Sequence, residues 1–141
     1  MGNGGASMTI STHEIHVAAA IIVNAQGQLL LVRKKNTQYF MQVGGKLEPN
    51  EAPELTILRE ISEEIGCDAH IEAYLGRFET AAANEPDHLL ISHVFKMALK
   101  DEPKIAAEIE EMIWFDPCDQ VTLIAPLTRE VVLPWLAEQT I

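Results

Sequence analysis

Basic side chains are scarce in this chain. Lysine and arginine number 10 against 21 aspartates and glutamates, which leaves a net charge of −11 at pH 7. A protein that binds nucleic acid or an anionic membrane presents a basic stripe or patch. The composition therefore argues against both partners. If the protein binds an anionic small molecule, bound metal and a few local lysines or arginines would have to neutralise its charge.

Cysteine and long apolar runs are scarce as well. The two cysteines, Cys67 and Cys118, form neither a disulfide framework nor a zinc-binding spacing. No apolar run approaches the roughly 20 residues that cross a bilayer. Residues 1–13 contain three glycines and lack the charged start and apolar centre of a secretory signal. We therefore expect a flexible leader at 1–13, a single domain at 14–141 and a reducing, cytoplasmic location.

The chain does contain a helix with clear ends and an acidic face. Pro53 stands in the first predicted turn and Gly66 just after the last, where these residues commonly begin and end helices. Glu60, Glu63 and Glu64 then lie at i, i+3 and i+4, on one face. The opposite face is predicted to be buried through its aliphatic residues: Leu55, Leu58, Ile61 and Ile65.

Two interpretations of this acidic face remain open at this point. Like charges at these spacings destabilise an exposed helix by about 0.2–0.5 kcal/mol per pair, so the helix does not need them. Three hard oxygen donors on one rigid face are what a Mg²⁺ or Mn²⁺ site requires. The simpler interpretation is a solvated acidic surface without a ligand.

Apolar runs separated by turn residues predict β-strands around this helix. The first two runs flank a turn at Asn24–Gln28 and predict a hairpin. Helical spacing over Leu127–Glu138 predicts a terminal helix. Together these elements indicate an α/β sandwich with a mixed sheet. The predicted strands are His16–Val23, Leu29–Val32, His70–Thr80, Leu89–Ala98 and Met112–Phe115.

The stretch from Gly45 to Cys67, which contains this helix, resembles the Nudix box. In that motif a Gly is followed after five residues by Glu and after seven more by Arg-Glu. An aliphatic residue, any residue, Glu-Glu, any residue and Gly then complete it before a last aliphatic position. Cys67 stands where a final aliphatic residue is usual, and cysteine can serve there as a small apolar side chain. The resemblance implies a Nudix-type α/β/α sandwich with a mixed β-sheet. The positions that match in register are Gly45, Glu51, Arg59, Glu60, Ile61, Glu63, Glu64 and Gly66.

The resemblance also implies a divalent metal cofactor, Mg²⁺ or Mn²⁺. The helix glutamates would bind it together with a glycine carbonyl, from Gly44 or Gly45, and a downstream glutamate. Counting back from Trp114, Glu108 is the best candidate for the last role, with Glu110 and Glu111 as competitors. The implied metal ligands are Gly45, Glu60, Glu63, Glu64 and Glu108.

Four residues of the box carry the implied catalytic roles. Glu63 is favoured as the general base or as a ligand of a second metal, and Glu60 is the alternative base. Arg59 is expected to bind Glu51 and so to hold the loop that opens the helix, which orients the carboxylates. The simpler alternative for Arg59 is an i,i+4 pair with Glu63.

Substrate contacts are expected from residues at or before the box. Arg33 and Lys34 belong to the densest basic run of the chain, and their alternative role is a charged strand end. Tyr39 and Phe40 can stack on a base. Gly44 lets the backbone approach a ligand closely. The candidates for substrate binding are Arg33, Lys34, Tyr39, Phe40, Gly44 and Lys46.

The substrate is narrowed only by elimination. Ala81–Ala83 stands where family members that act on ADP-ribose often carry proline, and Asn84–Glu85 stands where dinucleoside polyphosphate members often carry tyrosine. The expected substrate is a nucleoside triphosphate, an oxidised or non-standard one included, cleaved to monophosphate and pyrophosphate. The alternatives are ADP-ribose, a dinucleoside polyphosphate, or a nucleotide-binding sensor without turnover. The resemblance is compatible with a homodimer, although the sequence shows no interface.

Overall fold

A computed structural model describes residues 13–139 of the chain. Of the expected leader at 1–13, only His13 lies within these residues, and it begins the first strand. No helix between residues 13 and 139 is long and apolar enough to cross a membrane. The strands are β1 His13–Ile21, β2 Leu29–Lys34, β3 Val43–Lys46, β4 Ala69–Ala81, β5 His88–Leu99 and β6 Ile109–Phe115. The helices are α1 Pro53–Ile65 and α2 Leu133–Glu138, and a π-helical turn at Thr128–Val132 leads into α2.

The strands form two sheets, and the larger sheet is mixed as predicted. Its order is β3-β1-β5-β4. Strands β1 and β5 run parallel, whereas β3 and β4 pair antiparallel with their neighbours. Strands β2 and β6 form a separate antiparallel pair.

The predicted hairpin between the first two strands is wrong. The turn after β1 brings only Val23 and Leu29 into a single antiparallel bridge. Both edges of β1 are already occupied, because β3 pairs with one edge and β5 with the other. Strand β2 therefore leaves the larger sheet and pairs with β6, where Leu29 faces Phe115, 86 residues further along the chain.

The larger sheet separates two apolar cores, because successive residues of β1 point to opposite faces. Ala18 and Ala20 pack in the core that contains the buried isoleucines of α1. Ala19 and Ile21 pack in the other core, with Leu127 and the segment that leads into α2. The layers follow one another as helix, sheet and helix, which confirms the predicted α/β/α sandwich.

Helix α1 has the predicted ends, but its buried face differs from the prediction. Pro53 opens the helix, and Gly66 ends it in the left-handed conformation at φ 62°, with its N–H donating to the carbonyl of Ser62. Leu55 and Leu58 are 60% and 37% exposed, so their predicted burial is wrong. Ile61 and Ile65 are buried as predicted, and Ile57 joins them on the sheet-facing side in place of the leucines. This rotation carries one glutamate inside. The buried residues of α1 are Thr56, Ile57, Ile61, Glu64 and Ile65.

Candidate active site

Two adjacent glycines on β3 let the carboxylates of α1 approach the sheet. Gly44 pairs with Ala19, and a Cβ atom on Gly44 would overlap the carbonyl of Ala18. A Cβ atom on Gly45 would overlap the carboxyl group of Glu60. Any larger residue at either position would therefore displace the sheet pairing or the glutamate.

Glu64 is a buried carboxylate at this junction, with its side chain 7% exposed. One oxygen accepts a hydrogen bond from the Gly44 N–H at 3.3 Å, and the other lies 3.6 Å from Lys34 Nζ. Burial raises the pKa of Glu64 to about 7; Lys34 opposes this shift and the nearby Glu60 adds to it. A further cation beside Glu64 would therefore favour its charged form.

Glu60 lies between Gly45 and Arg59. Burial raises the pKa of Glu60 above its usual range, although the Arg59 guanidinium pulls it down, and Glu63 raises it further. Its Oε2 atom accepts a hydrogen bond from Arg59 Nη1 at 2.9 Å. Glu60 and Glu64 thus form a pair of desolvated like charges on the sheet-facing side of the helix.

Arg59 connects the helix to the loop that precedes it. Its Nε and Nη2 atoms donate to the two oxygens of Glu51 at 2.8 and 2.9 Å, so the contact that the resemblance implied is present. Nη1 also donates to Glu63 at 3.3 Å, which is the simpler i,i+4 contact. Nη2 donates further to the Lys46 carbonyl at 3.3 Å. The guanidinium holds the pKa of Glu51 at about 2.

The remaining two candidate metal ligands are exposed. The Glu63 side chain is 54% exposed on the outer side of the cluster. Glu108 is exposed in the turn before β6, where its carbonyl accepts a hydrogen bond from the Lys35 N–H at 2.9 Å. Within residues 13–139, no three His, Cys, Asp or Glu side chains converge on one point at metal-binding distance. The helix glutamates instead bind Arg59 and Lys34.

The donor set nevertheless fits a hard divalent cation. Glu60 and Glu64 supply carboxylate oxygens, which Mg²⁺ and Mn²⁺ prefer. Both are buried enough for their pKa values to rise despite Arg59 and Lys34, so an added cation would stabilise their charged forms. Because Gly45 has no Cβ atom, its backbone lies close to the Glu60 carboxyl group, in space that a side chain would otherwise fill.

A cavity of about 400 Å³ opens beside this cluster. Four of the residues predicted to bind substrate or metal line it, namely Lys34, Gly44, Gly45 and Lys46. The cavity wall carries these two lysines and one carboxylate, Glu85, which lies 4.0 Å from Lys46 Nζ. The cavity therefore brings two cations next to the glycine pair against which the carboxylates of α1 lie.

The structure places three other predicted substrate residues away from this cavity wall. Arg33 donates to Glu111 at 2.8 Å and to the Thr37 carbonyl at 2.7 Å, which matches its alternative role as a charged strand end. Phe40 packs against the second core, with its ring centre 6.0 Å from the Arg33 guanidinium carbon. Among the described residues that line the cavity, neither Phe40 nor Tyr39 is present.

Several residues that line the cavity were not predicted. Gln42 precedes the glycine pair, and Asn84 and Glu85 come from the turn between β4 and β5. Ala125, Leu127 and Thr128 come from the segment before α2. The sequence predicts a turn at Asn84–Glu85 but gives no sign that it lines a cavity, and no local signal marks residues 125–128. Long-range folding alone brings these segments to one cavity.

Comparison with known proteins identifies the family of this chain. Residues 13–136 match the family described as NUDIX domain. A putative 8-oxo-dGTP diphosphatase of Bacillus subtilis is 31% identical over 77 residues, which cover 55% of this chain. The match spans about half of that relative, 52% of its length. An 8-oxo-dGTP diphosphatase of Proteus vulgaris is 34% identical over 94 residues, covering 63% of this chain and 81% of the relative.

Two further similarities extend the comparison. An ADP-ribose pyrophosphatase of Methanocaldococcus jannaschii is 30% identical over 108 residues, covering 72% of this chain and 63% of that protein. The crystal structure of the MutT protein from Methanosarcina mazei superposes with a TM-score of 0.74 at 22% identity. It covers 92% of this chain and 96% of its own, so it supports the fold. With the family match spanning nearly all of the described residues, the chain belongs to the NUDIX domain family.

Proposed function

We propose that this protein is a Mg²⁺- or Mn²⁺-dependent pyrophosphohydrolase that cleaves a phosphoanhydride bond in a nucleoside diphosphate derivative. The leading substrate is a nucleoside triphosphate, an oxidised or non-standard one included, which gives monophosphate and pyrophosphate. One observation carries the proposal: Glu60, with its side chain 13% exposed, and the buried Glu64 lie against the glycine pair, beside a cavity lined by Lys34 and Lys46.

The metal would be held by the carboxylates of α1 and by the backbone of β3. The proposed ligands are Glu60, Glu64 and the Gly45 carbonyl, with Glu108 as a further ligand. Glu63 would be the ligand of a second metal where Glu60 is the base. When bound, the ion supplies charge neutralisation on the phosphates and lowers the pKa of a water molecule.

The chain's own residues carry the remaining steps. A water oxygen attacks one phosphorus, the bond from that phosphorus to the bridging oxygen breaks, and pyrophosphate leaves. Glu63, exposed enough to return a proton to solvent, takes the proton of the attacking water. Lys34 and Lys46 bind phosphate oxygens. Arg59 keeps Glu60 in place and is itself held by Glu51.

The relatives support the reaction class more closely than the substrate. Two are named for 8-oxo-dGTP and one for ADP-ribose. Their names share a diphosphate linkage on a nucleoside and differ in what it joins. We therefore take 8-oxo-dGTP as the first substrate to test and include ADP-ribose among the other substrates.

A hydrolysis screen with and without Mg²⁺ tests the proposal. The panel contains ordinary and oxidised nucleoside triphosphates, ADP-ribose and a dinucleoside polyphosphate, and product is measured by chromatography. Glu63→Gln and Glu64→Gln should each lower turnover by about a hundredfold or more. Glu130→Gln, which removes an exposed carboxylate paired with Arg129, is the matched control. Full activity in both cluster variants contradicts the proposal, and tight nucleotide binding without product favours the sensor.

We extend the proposal to the setting of the enzyme. A reducing, cytoplasmic location is supported by Cys67 and Cys118, which are both free thiols. The net charge of −11 supports a small nucleotide rather than nucleic acid or a membrane as partner. A homodimer stays a prediction, and sedimentation at several protein concentrations tests it.

A further inference from the structure

A hydrogen-bonded pair of buried polar side chains lines the cavity away from its lysines. Gln42 is 5% exposed and Thr128 is fully buried. The Thr128 hydroxyl donates to Gln42 Oε1 at 2.8 Å, and Gln42 Nε2 donates to the Ala20 carbonyl at 2.9 Å. The pair joins residues 86 positions apart, one before β3 and one at the start of the π-helical turn.

The orientation of the Gln42 amide is determined by its neighbours. The Ala20 carbonyl can only accept a hydrogen bond, so the amide nitrogen must face it. The amide oxygen then faces Thr128, whose hydroxyl can donate. A flipped amide would place two oxygens together at Ala20. The order of donor and acceptor that the pair presents is therefore constant.

The pair has hydrogen-bonding capacity that these two contacts do not use. An amide has two N–H groups and two acceptor positions, and a hydroxyl oxygen has two lone pairs. Gln42 uses one N–H and one acceptor position, and Thr128 uses its only donor. Both residues line the cavity. Gln42 keeps 5% of its surface exposed, so its unused groups are available to a ligand there, whereas the fully buried Thr128 acts through the hydrogen bond that it donates to Gln42.

The surrounding wall is largely apolar. It contains the side chains of Ile15, Val17, Met41, Leu90 and Leu127. Such a wall does not suit a phosphate, which is anionic and accepts hydrogen bonds. A phosphate would instead meet Lys34, Lys46 and the glycine backbone. A flat ring with a polar edge fits an apolar wall that carries a few convergent polar groups.

We infer that Gln42 and Thr128 select the base of the nucleotide. This inference rests on the proposed function, in that a nucleotide occupies the cavity. The apolar side chains contact the faces of the base, and the unused N–H and acceptor position of Gln42 bind its edge. Thr128 is a positioning residue, since its hydroxyl holds the Gln42 amide in one orientation. A base binds in the cavity when its edge offers hydrogen-bond donors and acceptors in the complementary order. A base with the wrong order leaves buried groups unpaired, which is the strongest source of discrimination that a binding site has.

The competing explanation is that the pair only links β3 to the segment before α2. Both explanations predict lower stability when the link is removed. Only base selection predicts a change in the ratio of affinities among ligands that differ in the base alone. That ratio is independent of how much protein is folded, because every ligand is measured on the same sample.

The test compares Thr128→Val, Thr128→Ser and Gln42→Met with the unaltered protein. Calorimetry measures the dissociation constants of the 5′-monophosphates of guanosine, adenosine, cytidine and uridine and of 8-oxoguanosine. Thr128→Val preserves shape and removes the hydroxyl. It should lower the ratio of the weakest to the tightest constant by about tenfold, as should Gln42→Met. Thr128→Ser retains the hydroxyl and should retain the ratio.

Thr80→Val is the matched control. Thr80 is also buried, its hydroxyl bonds the Ala81 carbonyl, and its side chain is outside the cavity wall. The ratio should be unchanged in this variant. A lower melting temperature in Thr128→Val with the ratio preserved overturns the inference, as does an unaltered protein that binds all five ligands equally.

The two proposals fail in distinguishable ways. Base-dependent binding that Thr128→Val weakens, in a protein that hydrolyses nothing in the panel, supports base selection and contradicts the enzyme. Hydrolysis that depends on Glu64, with a base ratio unaffected by Thr128→Val, supports the enzyme and contradicts base selection.

Discussion

Arg59 binds both oxygens of Glu51, with Nε 2.8 Å from Oε2 and Nη2 2.9 Å from Oε1. Such a two-point contact restricts orientation as well as distance. Because Nη1 of the same group reaches Glu60 and Glu63, the loop before α1 and the carboxylates on α1 share one cation. Removing the Glu51 carboxylate should therefore displace Arg59 and, through it, Glu60 and Glu63, although Glu51 itself does not contact these two glutamates.

Glu51→Gln should destabilise the protein at neutral pH. The folded pKa of Glu51, about 2, lies below the ordinary value of 4.5. Its contribution is therefore present above pH 4.5 and is lost as the pH falls towards 2. Urea denaturation should show the largest difference from the unaltered protein at pH 7 and a smaller one at pH 3. A difference that does not change with pH would assign the effect to packing.

Gly45→Ala should impair the site by displacing Glu60. The added methyl group would overlap the Glu60 carboxyl and force it away from Arg59. We expect Mg²⁺-dependent turnover to fall about 10- to 100-fold, as for other groups that support metal ligands. Shortening the glutamate in Gly45→Ala/Glu60→Asp should restore part of the loss. A double variant no better than Gly45→Ala would mean that the steric explanation is incorrect.

Mg²⁺ should raise the melting temperature through Glu64. A ligand that binds only the folded state at a hundred times its dissociation constant adds about 2.7 kcal/mol to the free energy of unfolding. Calorimetric scans with Mg²⁺ and with EDTA should show this shift for the unaltered protein and for Glu130→Gln. The shift should be much smaller for Glu64→Gln. Equal shifts in all three would exclude Glu64 as a ligand.

Lys34→Met should weaken binding of phosphate-bearing substrates. Lys34 lines the cavity and lies 3.6 Å from Glu64, whereas Lys35, the next residue, is exposed and outside the cavity wall. KM should rise about tenfold for Lys34→Met, since hydrogen bonds to charged groups contribute on this scale. Lys35→Met carries the same charge change and should leave KM near its original value. Equal effects in the two variants would indicate general electrostatics.

The rotation of α1 shows where sequence periodicity stopped being sufficient. The helical pattern allows both Leu58 and Ile57 on an apolar face, and only contact with the sheet chose Ile57. That choice also carried Glu64 into the interior, which raised its pKa. The hairpin prediction was wrong for a similar reason, because pairing partners of β1 come from β3 and β5 rather than from its neighbour in the chain.

The sequence by itself determined the ends of α1, the spacing of its glutamates and the family, because these depend on local geometry and on residues close together in the chain. Tertiary structure alone decided which carboxylates are buried and which segments line the cavity. Gln42 and Thr128 meet only after the strands pair and the C-terminal segment packs on the sheet. Burial and hydrogen-bond partners depend on these long-range contacts, and they set the electrostatics of the site.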